Sequence, residues 1–178
     1  MAVITGGALV GGEATERGGN ALVAGIMEMS DGILYCGTSY KYGGNLCLSG
    51  QLEMTGGVLS GGKANWDFTN NEQSTGENDG GNLYLTDSGA KAYLGGNAVV
   101  TGGNAGTGGY GGNIYMTSSA ELYLYGNAQV TYGEGYGGKN IYAMTTPKVV
   151  MYGGTVKNGT FNTYTSGSFH MYGGQIED

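Results

Sequence analysis

General acid–base catalysis needs two carboxylates, or a carboxylate and a basic partner, brought to one place by the fold. Most acidic side chains of this sequence are instead scattered along the chain. Among them are Asp31, Glu53, Asp87, Glu121 and Glu134. The single histidine, His170, lies where the alternation of apolar and polar residues predicts an outward, solvated side chain. We therefore expect no catalytic residues, no cofactor and no metal site, and a protein that is not an enzyme.

The segment 65–79 holds a denser group of acids, namely Asp67, Glu72, Glu77 and Asp79. Their oxygens could bind Ca²⁺, but they lack the Asp-x-Asp-x-Asx-Gly spacing of a calcium loop. The glycine-rich segments elsewhere lack the Gly-Lys-Ser/Thr and the following helix of a phosphate-binding loop. We interpret the segment as a solvated corner-loop insertion.

The charge and the apolar pattern exclude two classes of partner. The formal net charge is -7 with only 7 Lys plus Arg, so no basic stripe is available to neutralise the phosphates of a nucleic acid. No run of about 18 apolar residues is present, so this segment is not expected to insert into a membrane. The two cysteines, Cys36 and Cys47, match neither a zinc site nor a disulfide framework, and their pairing stays open.

Glycine dominates the composition, with 40 Gly beside 39% hydrophobic residues and 15 Tyr. This apolar content argues for a folded core in which the glycines are structural. Many of them belong to a Gly-Gly-Asn motif, with a Gly-Gly-Lys-Asn variant at 137–140. The asparagines of the motif are Asn20, Asn45, Asn82, Asn113 and Asn140. The intervals between them run from 25 to 37 residues, which a β-solenoid with insertions at its corners tolerates.

Short alternating segments follow the motif. The first segment of a repeat has the aliphatic-x-aliphatic pattern of Leu83-Tyr84-Leu85. Two more alternating segments follow after glycine turns, as at 92–94 and 98–100. Period-two alternation predicts strands with one buried face, and strands this short need stacked neighbours to be stable. We therefore predict that residues 1–178 form one all-β domain, a parallel β-helix (β-solenoid) with about three short strands per rung. The asparagines are predicted to stack as a ladder at one corner.

The motif followed by an aliphatic-x-aliphatic strand, as at 80–85 and 111–116, resembles the repeats of right-handed parallel β-helices in bacterial adhesin-like surface proteins. These repeats belong to the pectin-lyase-like superfold. The resemblance implies a right-handed coil, an extracellular or cell-surface location and a larger repetitive parent protein. Because the superfold also includes polysaccharide lyases and glycoside hydrolases, the resemblance is specific for the fold and weak for the function.

Tyrosine occupies many outward positions of the predicted strands. The positions are Tyr84, Tyr115 and Tyr142 on the first strand, Tyr93 and Tyr123 on the second, and Tyr125, Tyr152 and Tyr172 two residues further along. Since neighbouring rungs lie about 4.8 Å apart, these rings are predicted to stack in rows on the surface. The rows could contact a glycan, a host surface or another protein. The alternative is that outward tyrosine simply favours strands and covers the backbone.

Two functions from different classes remain. The first is a non-enzymatic structural or adhesive module that associates with itself end to end into fibres, since the repeat runs into both ends without a polar cap. The alternative is a carbohydrate-binding or polysaccharide-cleaving protein, in which Asp67 and Asp79 are the acids to test. Binding of a glycan without cleavage would favour the adhesive module.

Overall fold

In the computed structural model, residues 1–64, 66–67, 70, 72–73, 79–163 and 166–177 are described. Across these ranges the chain forms β-strands and no helix, and therefore no helix that could span a membrane. The strands are β1 (Ala2–Val10), β2 (Glu13–Ala14), β3 (Ala21–Val23), β4 (Ile26–Tyr35), β5 (Thr38–Ser39), β6 (Leu46–Leu48), β7 (Gln51–Met54), β8 (Val58–Ser60), β9 (Trp66–Asp67), β10 (Glu72–Gln73), β11 (Leu83–Leu85), β12 (Lys91–Leu94), β13 (Val99–Thr101), β14 (Ile114–Met116), β15 (Glu121–Leu124), β16 (Gln129–Thr131), β17 (Ile141–Ala143), β18 (Lys148–Lys157), β19 (Phe161–Thr163) and β20 (Ser168–Glu177).

The strands stack in parallel as successive coils of a solenoid. The first column contains β3, β6, β11, β14, β17 and β19. The second column contains the first halves of β1, β4, β18 and β20, together with β7, β12 and β15. The third column contains the second halves of those four long strands, together with β8, β13 and β16. Three strands per coil therefore surround one core, which confirms the predicted parallel β-helix.

The same strand positions face inward in every coil, so the core is built from ladders of aliphatic side chains. In the first column Leu46, Leu83 and Ile114 are direct partners. In the third column Leu59 pairs with Val100. All five side chains are fully buried. Each aliphatic layer covers the next, which gives these very short strands the apolar burial that they lack alone.

The corner after the third column places one residue of each coil in the left-handed backbone region. These residues are Gly11, Cys36, Gly61, Gly102, Tyr132 and Asn158, with φ between 51° and 66°. Glycine adopts this conformation without a Cβ clash and asparagine tolerates it, whereas other side chains cost about 1–2 kcal/mol. Cys36 and Tyr132 are therefore strained members of this corner.

The predicted insertion at 65–79 falls mostly outside the described residues. Within it, β9 and β10 pair antiparallel, with Trp66 opposite Gln73 and Asp67 opposite Glu72. The solenoid strands around it pair in parallel. The β9–β10 pair is thus a local departure from the parallel pairing of the coils.

Candidate functional site

The five motif asparagines form one hydrogen-bonded column at the corner before the first strand column. The side-chain Nδ2 of each donates to the Oδ1 of the next. The distances are 2.7 Å from Asn20 to Asn45, 2.7 Å from Asn45 to Asn82, 2.8 Å from Asn82 to Asn113 and 2.8 Å from Asn113 to Asn140. The four from Asn45 onward are fully buried. The asparagines therefore form a continuous ladder along the solenoid.

Each ladder amide also binds the backbone of the corner. The Oδ1 of Asn82 accepts a hydrogen bond from the Gly62 N–H at 2.9 Å, and its Nδ2 donates to the Thr101 carbonyl at 2.8 Å. Together with the ladder bonds, this uses both donors of Nδ2 and two acceptor sites of Oδ1. Aspartate would lack the two N–H donors, and an aliphatic side chain would lack both the donors and the acceptor oxygen. From Asn45 onward the ladder is buried, and it serves as a structural device of the corner.

The tyrosines of the first column stack from coil to coil but are covered. Ring centroids lie 5.6 Å apart for Tyr84 and Tyr115, and 5.9 Å apart for Tyr115 and Tyr142. Tyr42 stacks on Tyr84 and Tyr110 packs against Tyr142. We call these five rings the buried tyrosine cluster. Tyr84 is 7% exposed and Tyr115 is 5% exposed, so the prediction of a surface row is wrong for both, and Tyr142 is only half-exposed.

Asp79 lies against the buried tyrosine cluster. It is buried, and its Oδ1 accepts a hydrogen bond from the Tyr110 N–H at 2.7 Å. Burial is the largest cause that raises the pKa of Tyr115, and the negative charge of Asp79 adds to it. The prediction that Asp79 is solvated is therefore wrong. The side chains of the other insertion acids lie outside the described residues: Asp67, Glu72 and Glu77.

The tyrosines of the second column remain at the surface. Tyr93 and Tyr123 stack with ring centroids 4.8 Å apart and planes 7° from parallel. The Tyr123 hydroxyl donates to Glu121, and this hydrogen bond raises the pKa of the tyrosine. The Lys148 ammonium donates to the same hydroxyl at 3.3 Å and lies 5.4 Å from the ring centroid. Charged neighbours thus hold the Tyr123 ring in place.

Three further rings lie beside this pair, and we call the whole set the outer tyrosine face: Tyr93, Tyr123, Tyr125, Tyr152 and Tyr172. The Tyr125 ring lies over Gly95, where an added Cβ would approach the ring to 1.9 Å. Tyr152 and Tyr172 are exposed and stack with centroids 5.2 Å apart and planes 11° from parallel. The outer tyrosine face offers flat ring surfaces, which suit contact with an extended partner better than enclosure of a small molecule.

The fold brings two of the acids together: Glu28 and Glu53 are direct partners on β4 and β7 and line one shallow groove. Glu121 pairs with Lys91 at 2.8 Å, and this hydrogen bond lowers the pKa of the Glu121 carboxyl. His170 stacks on Tyr172 with centroids 6.4 Å apart. Among the described side chains, no group of three or more His, Cys, Asp or Glu is placed to hold a metal ion. The second column therefore offers aromatic contact, hydrogen bonding and the neighbouring carboxylates of Glu28 and Glu53.

Cys36 and Cys47 are both free thiols. Cys47 is fully buried beside the tyrosine cluster, and burial raises its pKa to about 11. We expect iodoacetamide in mildly alkaline buffer to alkylate the partly exposed Cys36 and to spare Cys47 until the chain unfolds. Mass spectrometry of native and urea-denatured samples measures this difference. Equal labelling of both thiols in the native protein would contradict the covered environment of Cys47.

Sequence reasoning missed five described tyrosines that lie outside the strands, of which Tyr40 is exposed next to β5. Tyr42 and Tyr110 belong to the buried tyrosine cluster, whereas Tyr132 and Tyr136 are exposed. A usable signal was present, since Tyr42, Tyr110 and Tyr136 each stand directly before the Gly-Gly pair of the repeat motif. A residue at that position lies on the corner segment that passes over the first column.

No protein-family model, no curated protein and no solved structure matches the chain. The function is therefore inferred from the chemistry of the molecular surface.

Proposed function

We propose that the chain is a non-enzymatic structural and adhesive module of an extracellular bacterial surface protein, in which the coils provide length and the outer tyrosine face provides contact. The observation that carries this proposal is the parallel stacking of exposed rings on consecutive coils, as in Tyr152 and Tyr172. Flat aromatic surfaces bury area against sugar rings or against another protein surface. A glycan or a host surface is the proposed partner.

The scaffold supports this role because every coil is tied to its neighbours. The asparagine ladder connects successive corners, and the aliphatic ladders connect successive strands. In a repeat architecture of this kind, stability grows with each coil and each interface between coils. Rings on adjacent coils are consequently held at a constant spacing, which a repetitive surface partner can match.

The adhesive role is tested by removing the two most exposed rings of the outer tyrosine face. We expect Tyr152→Ala combined with Tyr172→Ala to weaken binding to a glycan array or to cultured host cells by about tenfold or more, because stacking area is lost. The control is Tyr35→Ala, which removes an exposed tyrosine from the third column. Unchanged binding in the double variant would contradict the proposal.

A reducing-end assay on any polysaccharide that binds separates adhesion from cleavage. Binding without new reducing ends supports the adhesive module. New reducing ends that disappear in Asp67→Asn or Asp79→Asn would instead support the polysaccharide-cleaving alternative. Because Asp79 is buried, a polysaccharide has little access to its carboxylate, and this favours adhesion over cleavage.

End-to-end association is part of the same proposal. The segments 4–9 of β1 and 171–176 of β20 both read apolar-x-Gly-Gly-x-apolar, as does 151–156 of β18. β20 pairs with β18 on both sides of this pattern, with register shifts at Tyr152, and β1 pairs with β4 with similar shifts at Thr5. The β1 of a second copy can therefore extend β20 in the same way. Unpaired strand edges favour such addition.

We expect concentration-dependent filaments in electron micrographs of the 178-residue chain. Ile4→Lys is expected to suppress them, because Ile4 aligns with the buried Met29 and would carry its charge into the junction. Val3→Lys is the matched control, since Val3 aligns with Glu28 on the outward side. A sharp monomer at high concentration, or equal suppression by both variants, would contradict stacking through β1.

A further inference from the structure

A second aromatic surface lies at the corner after the third column, away from the outer tyrosine face. The segment 132–136 reads Tyr-Gly-Glu-Gly-Tyr. Tyr132 is 60% exposed and Tyr136 is 73% exposed, with the exposed Glu134 between them. Gly133 is buried against the Lys139 carbonyl, where an added Cβ would come within 1.9 Å of the oxygen.

Two grooves meet at Glu134. One, of about 660 Å³, is lined by Tyr132, Glu134 and Lys139 together with backbone of the next coil. The other, of about 270 Å³, is lined by Asn104, Glu134 and Tyr136. Their volumes fall in or near the range of small-ligand sites. Glu134 therefore lines both grooves, with the exposed Tyr132 in one and the exposed Tyr136 in the other.

Neighbouring groups hold this arrangement in place. Glu134 Oε2 accepts a hydrogen bond from Asn104 Nδ2 at 2.8 Å, and Asn104 Oδ1 accepts one from the Gly106 N–H at 2.7 Å. The Tyr136 ring packs edge-on against Tyr110 with centroids 5.8 Å apart. No described residue donates a hydrogen bond to Glu134 Oε1. That oxygen is open to the groove.

The backbone of Tyr132 is strained for this position. Its φ is 56°, where Gly61 and Gly102 occupy the same corner in the two preceding coils with φ of 60° and 61°. Two smaller side chains, Cys36 and Asn158, take the same conformation in other coils, and tyrosine is the bulkiest residue at this corner. A bulky side chain in this region is an outlier, and such outliers cluster at functional sites. The exposed Tyr132 ring gains little burial that would offset the strain. A ligand that packs on the Tyr132 ring would explain why tyrosine occupies this strained position.

We propose that Tyr132, Glu134 and Tyr136 form a binding site for a neutral oligosaccharide. The apolar faces of sugar rings pack on exposed tyrosine rings, and a carboxylate accepts hydrogen bonds from sugar hydroxyls. Lys139 lines the same groove and can donate to a further hydroxyl. The mixed polar and aromatic lining does not fit a lipid or another purely apolar ligand. The site is independent of fibre formation and of the outer tyrosine face.

The test is isothermal titration calorimetry of the 178-residue chain with four neutral probes: cellotetraose, xylotetraose, maltotetraose and tetra-N-acetylchitotetraose. We expect at least one to bind, and both Tyr132→Gly and Glu134→Gln to weaken its affinity by about tenfold or more. Tyr132→Gly is also expected to raise the Tm by roughly 2–4 °C, because it relieves the left-handed strain. If Tyr132→Gly loses affinity while its Tm rises, the loss of binding cannot be attributed to misfolding.

Two controls make the result specific. Glu13→Gln changes an exposed acid in the same column of corner bridges, several coils away, and should leave the affinity unchanged. Tyr172→Ala changes the outer tyrosine face and should also leave it unchanged. Absence of binding by all four probes at millimolar concentration would overturn the site. So would binding that survives Tyr132→Gly and Glu134→Gln, and loss in Tyr172→Ala alone would move the ligand to the outer tyrosine face.

Discussion

Replacing Asn82 by aspartate is expected to lower the free energy of unfolding at neutral pH by about 3 kcal/mol or more. In the native protein the Asn82 Nδ2 donates to the Thr101 carbonyl and to Asn113 Oδ1, both at 2.8 Å. A carboxylate oxygen at that position would face two acceptors and no donor. It would also place a charge at a fully buried site, where desolvation is most costly.

The loss of unfolding free energy in Asn82→Asp should grow as the pH rises. Burial against two acceptors raises the pKa of the introduced carboxyl in the folded state above its unfolded value of about 3.9. The folded variant then binds the proton more tightly than the unfolded one, so its deficit is smallest below pH ~4 and grows as the pH rises. Urea unfolding of the variant and the native protein at several pH values measures this trend.

Asn97→Asp is the matched control for the ladder variant. Asn97 is exposed, and its Oδ1 accepts one long hydrogen bond of 3.3 Å from Asn127. We expect its effect to stay within about 0.5 kcal/mol at every pH. Equal losses in Asn97→Asp and Asn82→Asp would show that the ladder has no special role in stability.

Replacing Gly81 by alanine is expected to cost about 3 kcal/mol, again through the corner of the solenoid. An added Cβ would lie 2.2 Å from the Asn104 backbone nitrogen and 2.2 Å from the Gly112 carbonyl oxygen. Both neighbours are backbone atoms of adjacent coils, so no side-chain rotation can relieve the overlap. The coils would have to separate locally, which weakens the ladder and core contacts on both sides.

Gly89→Ala tests whether the effect belongs to the corner or to glycine in general. An added Cβ at Gly89 meets nothing within 4 Å. This change should be neutral or slightly stabilising, because alanine restricts the unfolded chain. Thermal unfolding followed by circular dichroism compares the two variants. Similar Tm values for Gly81→Ala and Gly89→Ala would contradict the close coil packing at this corner.

The all-β solenoid and its asparagine ladder were accessible from the sequence because their determinants are local and repeated. Each coil carries its own alternating segments and its own Gly-Gly-Asn motif, so one pattern read several times predicts a stack. The burial of Asp79 was not accessible in the same way. The sequence before it carries no repeat, and its hydrogen bond comes from the Tyr110 N–H, 31 residues later in the chain.

The outward tyrosines show the limit of alternation as a predictor. Tyr84 and Tyr93 occupy equivalent outward positions on neighbouring columns, yet Tyr84 is buried and Tyr93 is partly exposed. The difference arises because the corner segment carrying Tyr42 crosses the first column and leaves the second column uncovered. Alternation states which side of a strand faces the core, and it says nothing of what covers the other side.

The sequence by itself determined the coil, because inward aliphatic residues, glycine corners and the repeated asparagine act within one rung and its immediate neighbours. Only the tertiary structure decided which tyrosines form a second buried cluster and which remain as surfaces. It also decided that Tyr132 takes a left-handed backbone conformation next to Glu134. The physical reason is that exposure and strain at the corners depend on contacts between coils. Those contacts follow the path of the connecting segments, which vary from one coil to the next.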